Sequence, residues 1–175
     1  MYKEKSLYFS ILIGFLLFGF IAGWDILDFR NIYWLIDCPI ICDAQQHLLG
    51  WLFFRETDLL QFPLLKNISF GLYTGSSLVY TDSLPIFAVF FKFFNSILDF
   101  QFQYFGLWIL LSFVLQAIIA DKILKLYIDD EKFRLISIIF FCISPIFLNK
   151  LFFSHLALAS HWIILLGIYL YLSKD

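Results

Sequence analysis

The chain has 175 residues and a formal net charge of −2, and 62% of its residues are hydrophobic. Soluble globular proteins contain only about 45–50% apolar residues. The composition therefore indicates an integral membrane protein whose first partner is the lipid bilayer. No basic patch suggests nucleic acid as a partner. The three cysteines have neither the number nor the spacing of a disulfide framework or a zinc site.

Four apolar segments are predicted to cross the membrane. The first, residues 6–24, has no charged residue and is long enough to span a hydrocarbon core of about 30 Å as a helix. The other three are residues 104–124, 135–148 and 156–172. The predicted fold class is an all-α membrane protein with four transmembrane helices in a single membrane domain, residues 1–175. Its parts are the first helix in residues 1–24, an external loop in residues 25–103 and three further helices in residues 104–175.

Residues 84–98 are the ambiguous segment. They form an apolar stretch of roughly fifteen residues, which is closer to an interfacial helix than to a full span. If they do not cross, four basic residues lie inside with both termini, as the positive-inside rule expects. These are Lys122, Lys125, Lys132 and Arg134. We therefore expect four spans and cytoplasmic termini, and five spans are the alternative. Lys92 is expected to reach toward lipid head groups.

The external loop contains a predicted helix from Asp43 to about Glu56, in which Gln46 could complete a capping box. Asp43 and His47 are four residues apart, so they share a helix face and could hold a substrate hydroxyl or a phosphate. The alternative is that Asp43 only caps the helix. Asp82 could likewise be either a site residue or a helix cap, because Asp82 or Ser83 could cap the next helix, at Leu84.

Two histidines flank the last external turn. His155 and His161 would be about 120° apart on a continuous helix, which is poor geometry for joint metal ligation. Polar groups near membrane depth often mark ligand sites, although placement at the interface is an alternative. Arg55 and Lys150 are candidate phosphate ligands, or they extend to lipid head groups. A divalent metal has no clear ligand set here, so cofactors stay open.

Four motifs, taken together, resemble the start of a bacterial multi-pass family, DUF6311, which is similar to GT-C membrane glycosyltransferases. The motifs are residues 43–55 (DAQQHLLGWLFFR), residues 80–85 (YTDSLP), residues 103–108 (QYFGLW), and HLAL at 155–158 with His161 and Trp162. In GT-C enzymes an acidic residue early in the first external loop is the catalytic base. The resemblance assigns that role to Asp43. A second acidic motif, frequent in such enzymes, is replaced here by Ser154, His155 and His161, which leaves metal dependence open.

The resemblance implies transfer of a sugar from a polyprenyl-phosphate donor to an acceptor hydroxyl, at the external face of the bacterial inner membrane. The substrate-binding residues would be Gln46, His47, Arg55, Asp82, Lys150, His155 and His161. Because GT-C proteins have more spans, we expect the chain to be an N-terminal portion that works with a missing C-terminal portion. The alternative is a non-catalytic membrane subunit, a truncated relic or a transporter fragment.

Overall fold

The computed structural model describes residues 2–37, 43–71, 74–153 and 155–174, with the backbone alone for residues 2–5. The fold is mostly helical. Its helices are α1 (Tyr2–Ile21), α2 (Tyr33–Ile36), α3 (Ala44–Arg55), α4 (Pro85–Lys92), α5 (Phe105–Leu124), α6 (Glu131–Cys142), α7 (Pro145–Phe152) and α8 (His161–Leu172). Cys38, Cys42 and Ser154 lie outside the described residues.

Short elements connect α3 to α5. Strands β1 (Lys66–Asn67) and β2 (Ser76–Ser77) pair antiparallel. Single 3₁₀ turns follow at Leu78–Thr81 and Asn95–Ile97, and another lies at Asp25–Leu27. Helix α3 agrees with the helix predicted to run from Asp43 to about Glu56.

Helix α5 is the centre of the helical bundle, with α1, α6 and α8 packed against it. The approach of α1 is close because Gly14 has no side chain: a Cβ there would lie 2.7 Å from the Cα of Val114. Small residues allow such backbone contact between membrane helices. Farther along the same interface, the rings of Phe18 and Phe113 meet edge to face, with centroids 6.2 Å apart.

The number of membrane-spanning helices differs from the sequence prediction. Within the described residues, two helical stretches are long and apolar enough to cross a membrane, Phe105–Leu124 and Glu131–Phe152, not four. Ser6–Ile21 and His161–Leu172 are apolar but shorter. Residues 156–159 form turns and α8 begins only at His161, so α8 has 12 residues, about 18 Å of helix. The prediction treated 156–172 as one helix because its apolar residues are continuous.

The stretch Glu131–Phe152 bends where α6 gives way to α7. Helix α6 ends at Cys142, and Ser144 caps the start of α7 by accepting a hydrogen bond from the amide of Phe147. Pro145 occupies the first turn of α7, where its missing N–H costs nothing. The predicted span at residues 135–148 therefore begins earlier, ends later and is bent.

The predicted interfacial helix at 84–98 is also shorter than expected. Helix α4 ends at Lys92, and a 3₁₀ turn follows. Lys92 does not extend to head groups: its Nζ donates to Thr57 Oγ1 at 2.5 Å and to the carbonyl of Asp58 at 2.8 Å. It also lies 4.0 Å from the ring centroid of Phe54. Burial lowers the pKa of Lys92, an effect that the Asp58 charge opposes.

Buried aromatic residues hold α3 and α4 against the start of α5. Trp51 and Tyr104 are fully buried, and their rings meet edge to face with centroids 5.1 Å apart. The indole N–H of Trp51 donates to the carbonyl of Phe102 at 2.8 Å. Phe91, on α4, stacks on Tyr104. This packing fixes the C-terminal half of α3 against the segment that precedes α5, and that segment against α4.

Candidate functional site

Four ionisable residues from separate parts of the sequence meet beside the start of α3. Oδ2 of Asp43 lies 2.8 Å from Nδ1 of His155. Asp82 is close enough to Asp43, His47 and His155 for all three charges to act on it. We call Asp43, His47, Asp82 and His155 the Asp–His cluster. The structure thus brings together four of the residues that the sequence singled out.

Asp43 precedes α3, but its carboxylate does not cap the helix. Its backbone lies in the helical region, with φ −74° and ψ −6°, and its side chain makes no capping hydrogen bond. A capping residue typically has extended backbone angles, which direct its side chain at the amides of the first turn. The side chain is 44% exposed, and that of its partner His155 is 38% exposed. Asp43 is therefore paired and accessible to water.

His47, one turn into α3, is held in one orientation. Its Nδ1 lies 2.7 Å from the carbonyl oxygen of Thr81. A carbonyl can only accept, so Nδ1 carries the hydrogen. The side chain is buried and its ring lies 6.3 Å from that of Phe105, centroid to centroid. His47 therefore links α3 to the turn that carries Asp82.

Asp82 lies in a tight turn with unusual backbone angles. Both Asp82 (φ 52°) and Leu84 (φ 51°) have left-handed backbone conformations, which cost free energy for a residue such as leucine. Between them, Ser83 donates from Oγ to the carbonyl of His47 at 2.7 Å, and its own carbonyl accepts from the hydroxyl of Tyr104. These bonds hold the turn in place.

The prediction that Asp82 or Ser83 caps the helix at Leu84 is wrong. Leu84 is the residue before α4, and no side chain caps that helix. Ser83 cannot do so because its hydroxyl is engaged by the backbone of α3. The left-handed backbone at Asp82 is compatible with its carboxylate lying among the charges of the Asp–His cluster.

Burial raises the pKa of the Asp82 carboxyl. Nearby His47 opposes that rise, Asp43 adds to it and His155 opposes it. A carboxyl group that keeps its proton to higher pH can act as an acid. Asp43 and Asp82 are thus two carboxyl groups in different environments within one site.

Gly50 is a residue of this region that the sequence reading missed. A Cβ at Gly50 would lie 2.1 Å from Oγ1 of Thr81 and 2.4 Å from Oγ of Ser83. The turn around Asp82 can therefore pack on α3 only because position 50 is glycine. The signal available in the sequence was a glycine in the interior of a predicted helix, which is unfavourable without a packing reason.

Gln46 lies at the edge of the Asp–His cluster. Its Nε2 donates to the carbonyl of Tyr80 at 2.8 Å, so it helps to hold the same turn. The predicted capping-box role is not seen. The neighbouring Gln45 instead donates to the carbonyl of Ile36 at 2.6 Å, which ties the start of α3 to α2.

Arg55 lies at the opposite end of α3 from Asp43, about 18 Å away along the helix axis. Its guanidinium donates to the side-chain oxygen of Asn95 at 2.6 Å and to three carbonyls of the following loop, those of Leu98, Asp99 and Phe100. Burial lowers the pKa of Arg55, an effect that the charges of Glu56 and Asp99 oppose. Arg55 therefore holds the 95–100 loop against the end of α3 and lies apart from the Asp–His cluster.

Lys150 and His161 flank the turn that carries His155. The carbonyl of Lys150 accepts from the amide of His155 at 2.9 Å, so the end of α7 positions this histidine. His161 packs against Phe147, with ring centroids 5.9 Å apart. It lines a cavity of about 290 Å³ with Gln116. The structure does not join His161 to the Asp–His cluster.

No group of three or more histidine, cysteine or acidic side chains within the described ranges is arranged to hold a metal ion. The carboxyl and imidazole side chains of the Asp–His cluster are groups that can take part in acid–base chemistry. Cys38 and Cys42 are outside those ranges.

A buried ion pair at the far end of the bundle was also missed. Nε of Arg134 donates to Oδ1 of Asp121 at 2.6 Å, and Ser6 donates to Oδ2 at 2.5 Å. The two charged side chains are almost fully buried. In the sequence Asp121 stands beside Lys122 near the end of the predicted span 104–124, and nothing there indicated that Arg134 would turn inward to meet it.

The family comparison covers nearly all of the chain. A family model described as "Domain of unknown function (DUF6311)" matches residues 11–175. No curated protein and no solved structure matches the chain.

Proposed function

The chain belongs to the DUF6311 family, and we propose that it is a GT-C-like glycosyltransferase module that uses a polyprenyl-phosphate sugar donor. The observation that carries this proposal is the position of the Asp43 side chain, its exposure to water and its pairing with His155. Its carboxylate stands at the head of α3, half exposed and not used as a cap, with Oδ2 2.8 Å from Nδ1 of His155. A general base needs an accessible, ionised carboxylate held in one orientation.

The contacts of Asp43 fit this role. Oδ2 lies 2.8 Å from Nδ1 of His155, which leaves Oδ1 outside this pair. Oδ1 is thus the oxygen that would receive a proton from an acceptor hydroxyl. Asp82, whose pKa is raised by burial, is suited to hydrogen-bond a sugar hydroxyl in its protonated or its ionised form.

The proposed reaction is a single displacement. Asp43 takes the proton of the acceptor hydroxyl while that oxygen bonds to the anomeric carbon, and the bond from this carbon to the phosphate oxygen breaks. The stereochemistry at the carbon inverts. The departing polyprenyl phosphate gains negative charge, which a nearby cation would stabilise. Lys150 is the candidate, since the guanidinium of Arg55 is occupied by the 95–100 loop and His155 is paired with the base Asp43.

We place α1, α5, the bent pair α6–α7 and α8 in the bacterial inner membrane, with both termini in the cytoplasm. The packing of α1, α6 and α8 around α5 supports this arrangement. So do large exposed apolar side chains on the outer faces of the bundle, such as Phe20, Phe140 and Ile164. A lipid-linked donor explains why the Asp–His cluster lies where α5 begins, at one surface of the bilayer.

The test is turnover of a lipid-linked donor. Bacterial inner-membrane vesicles containing the chain would be supplied with polyprenyl-phosphate hexoses, and released polyprenyl phosphate would be measured by mass spectrometry. Asp43→Asn should lower the release rate by about 10² to 10⁴-fold, the usual contribution of a general base. Asp37→Asn, at an exposed aspartate of the same loop, should leave it unchanged.

Two outcomes contradict the proposal. A folded Asp43→Asn chain that releases polyprenyl phosphate at the wild-type rate would remove Asp43 from the chemistry. Vesicles with the wild-type chain that release no more than empty vesicles, for every hexose tried, would favour a non-catalytic membrane subunit.

A further inference from the structure

A second cavity lies at the far end of α5 from the Asp–His cluster. Its volume is about 380 Å³, and it is bounded by α1, α5 and α8. Helix α5 has 20 residues and is therefore about 30 Å long, which equals the thickness of a hydrocarbon core. With the Asp–His cluster at one membrane surface, this cavity lies at the other. The lining residues are Leu7, Ile118, Asp121, Lys122, Lys125, Leu126 and Tyr169.

The cavity has an apolar wall and a basic edge. Leu7, Ile118 and Leu126 form the wall, and Lys122 and Lys125 are exposed beside it. Nζ of Lys122 lies 5.6 Å from the ring centroid of Tyr169, a cation–π distance that holds the lysine at the edge of the cavity.

The one carboxylate in the lining is already neutralised. Both oxygens of Asp121 are engaged, Oδ1 by Nε of Arg134 at 2.6 Å and Oδ2 by Oγ of Ser6 at 2.5 Å. The two lysines therefore leave the cavity with a net positive charge. Nearby Asp130 is not in the lining, and its carboxylate accepts from the amides of Lys132 and Phe133.

We infer that this cavity binds one anionic phospholipid, with the phosphate at Lys122 and Lys125 and an acyl chain along the apolar wall. The inference rests on the placement of α5 across the membrane and does not depend on the glycosyltransferase activity. Basic residues next to apolar surface at a membrane interface recognise anionic head groups, and each contributes about 1 kcal/mol, or about fivefold in affinity.

The experiment is native mass spectrometry of the purified chain in detergent, titrated with phosphatidylglycerol or with phosphatidylcholine of the same acyl chains. The wild-type chain should retain one phosphatidylglycerol in preference to phosphatidylcholine. The double variant Lys122→Gln with Lys125→Gln should lose that preference by about 10-fold or more. Lys66→Gln with Lys132→Gln removes the same charge from exposed positions outside the cavity and should keep it.

Further variants separate the parts of the site. Lys122→Arg with Lys125→Arg should retain binding, whereas Leu126→Trp, which fills the wall without changing the charge, should weaken it. Equal retention of the two lipids overturns the inference. The inference is also overturned if the cavity variant and the control variant lose the preference for phosphatidylglycerol equally. That result would show that the lipid responds to the net charge of the chain and not to the cavity. Competition by free glycerophosphate at lipid concentrations would show a phosphate site and overturn the assignment to a lipid.

Discussion

Asp43 and His155 lie 2.8 Å apart, Oδ2 to Nδ1, although one precedes α3 and the other lies in the turn between α7 and α8. The pair therefore joins the start of α3 to the last part of the chain. It also accounts for an aspartate at the start of a helix that caps nothing. His155 would act by positioning the carboxylate of Asp43 for an acceptor hydroxyl.

Replacing His155 by alanine should release the Asp43 carboxylate without unfolding the chain, since both side chains are partly exposed. Misplacement of a catalytic group by about 1 Å can cost about 10²-fold in rate. We expect a loss of this size in kcat for donor turnover, with little change in KM. His161→Ala, outside the Asp–His cluster, should keep kcat near wild type. Equal loss in both variants would contradict a positioning role for His155.

The stability of the chain should fall as the pH rises through the titration of Asp82. Its pKa in the folded chain is raised above the ordinary value of 3.8, first by burial. The folded state then binds the proton more tightly than the unfolded state, so the contribution of Asp82 to stability is largest below pH 3.8 and is lost as the pH rises through its raised pKa. In Asp82→Asn this decline should be absent.

Thermal unfolding in detergent between pH 3.5 and 7 would measure this difference. Asparagine tolerates the left-handed backbone as well as aspartate does, so the variant should fold. Asp37→Asn, at an exposed position, should keep the wild-type dependence. A decline in Asp82→Asn as large as in wild type would show that other groups cause it.

Gly50→Ala should displace the turn around Asp82. The new Cβ would overlap Oγ1 of Thr81 and Oγ of Ser83, and overpacking of this kind costs about 1–3 kcal/mol. We expect a lower unfolding temperature and reduced donor turnover. Gly167→Ala in α8, where a Cβ meets nothing within 4 Å, should be neutral or slightly stabilising. If both substitutions were neutral, the turn would not depend on Gly50.

Arg55→Lys should destabilise the 95–100 loop. Lysine keeps the charge but cannot reproduce the fork that bonds Asn95 and the carbonyls of Asp99 and Phe100. Hydrogen bonds from a charged group contribute about 1.5–3 kcal/mol, and we expect a loss of that size in the free energy of unfolding.

The matched control is Arg30→Lys. Arg30 pairs with Asp99 but its side chain is 73% exposed, and surface ion pairs contribute about 0–1 kcal/mol. Denaturant titration of both variants would compare them. Unchanged stability with a raised KM for the donor in Arg55→Lys would instead indicate that Arg55 binds phosphate.

The proposed topology predicts opposite accessibility for two loops. In a background lacking Cys38, Cys42 and Cys142, a cysteine at Ser76 should react with an impermeant maleimide in intact cells. A cysteine at Asp130 should react only after permeabilisation, because the basic residues around it favour the cytoplasm. Efficient labelling at Asp130 in intact cells would overturn the arrangement with both termini inside.

The sequence by itself determined the helical class, the position of α3 and the residues worth testing. These follow from local properties: apolar runs, spacing along a helix and helix-start signals. It overestimated the length of α8 and of the helix at 84–98, because apolar continuity does not reveal a turn that tertiary hydrogen bonds stabilise.

Only the tertiary structure decided how the candidate residues group. It brings Asp43, His47, Asp82 and His155 together, and it shows that Arg55 bonds to the 95–100 loop. A carboxylate before a helix can cap it, form an ion pair or bind a ligand, and a guanidinium at the end of a helix has a similar choice of partners. The sequence does not show which partner lies close to either group. Gly50 allows α3 to pack on the turn at Asp82, and the chain returns at His155 to the start of α3. This tertiary packing decides which partners the side chains have.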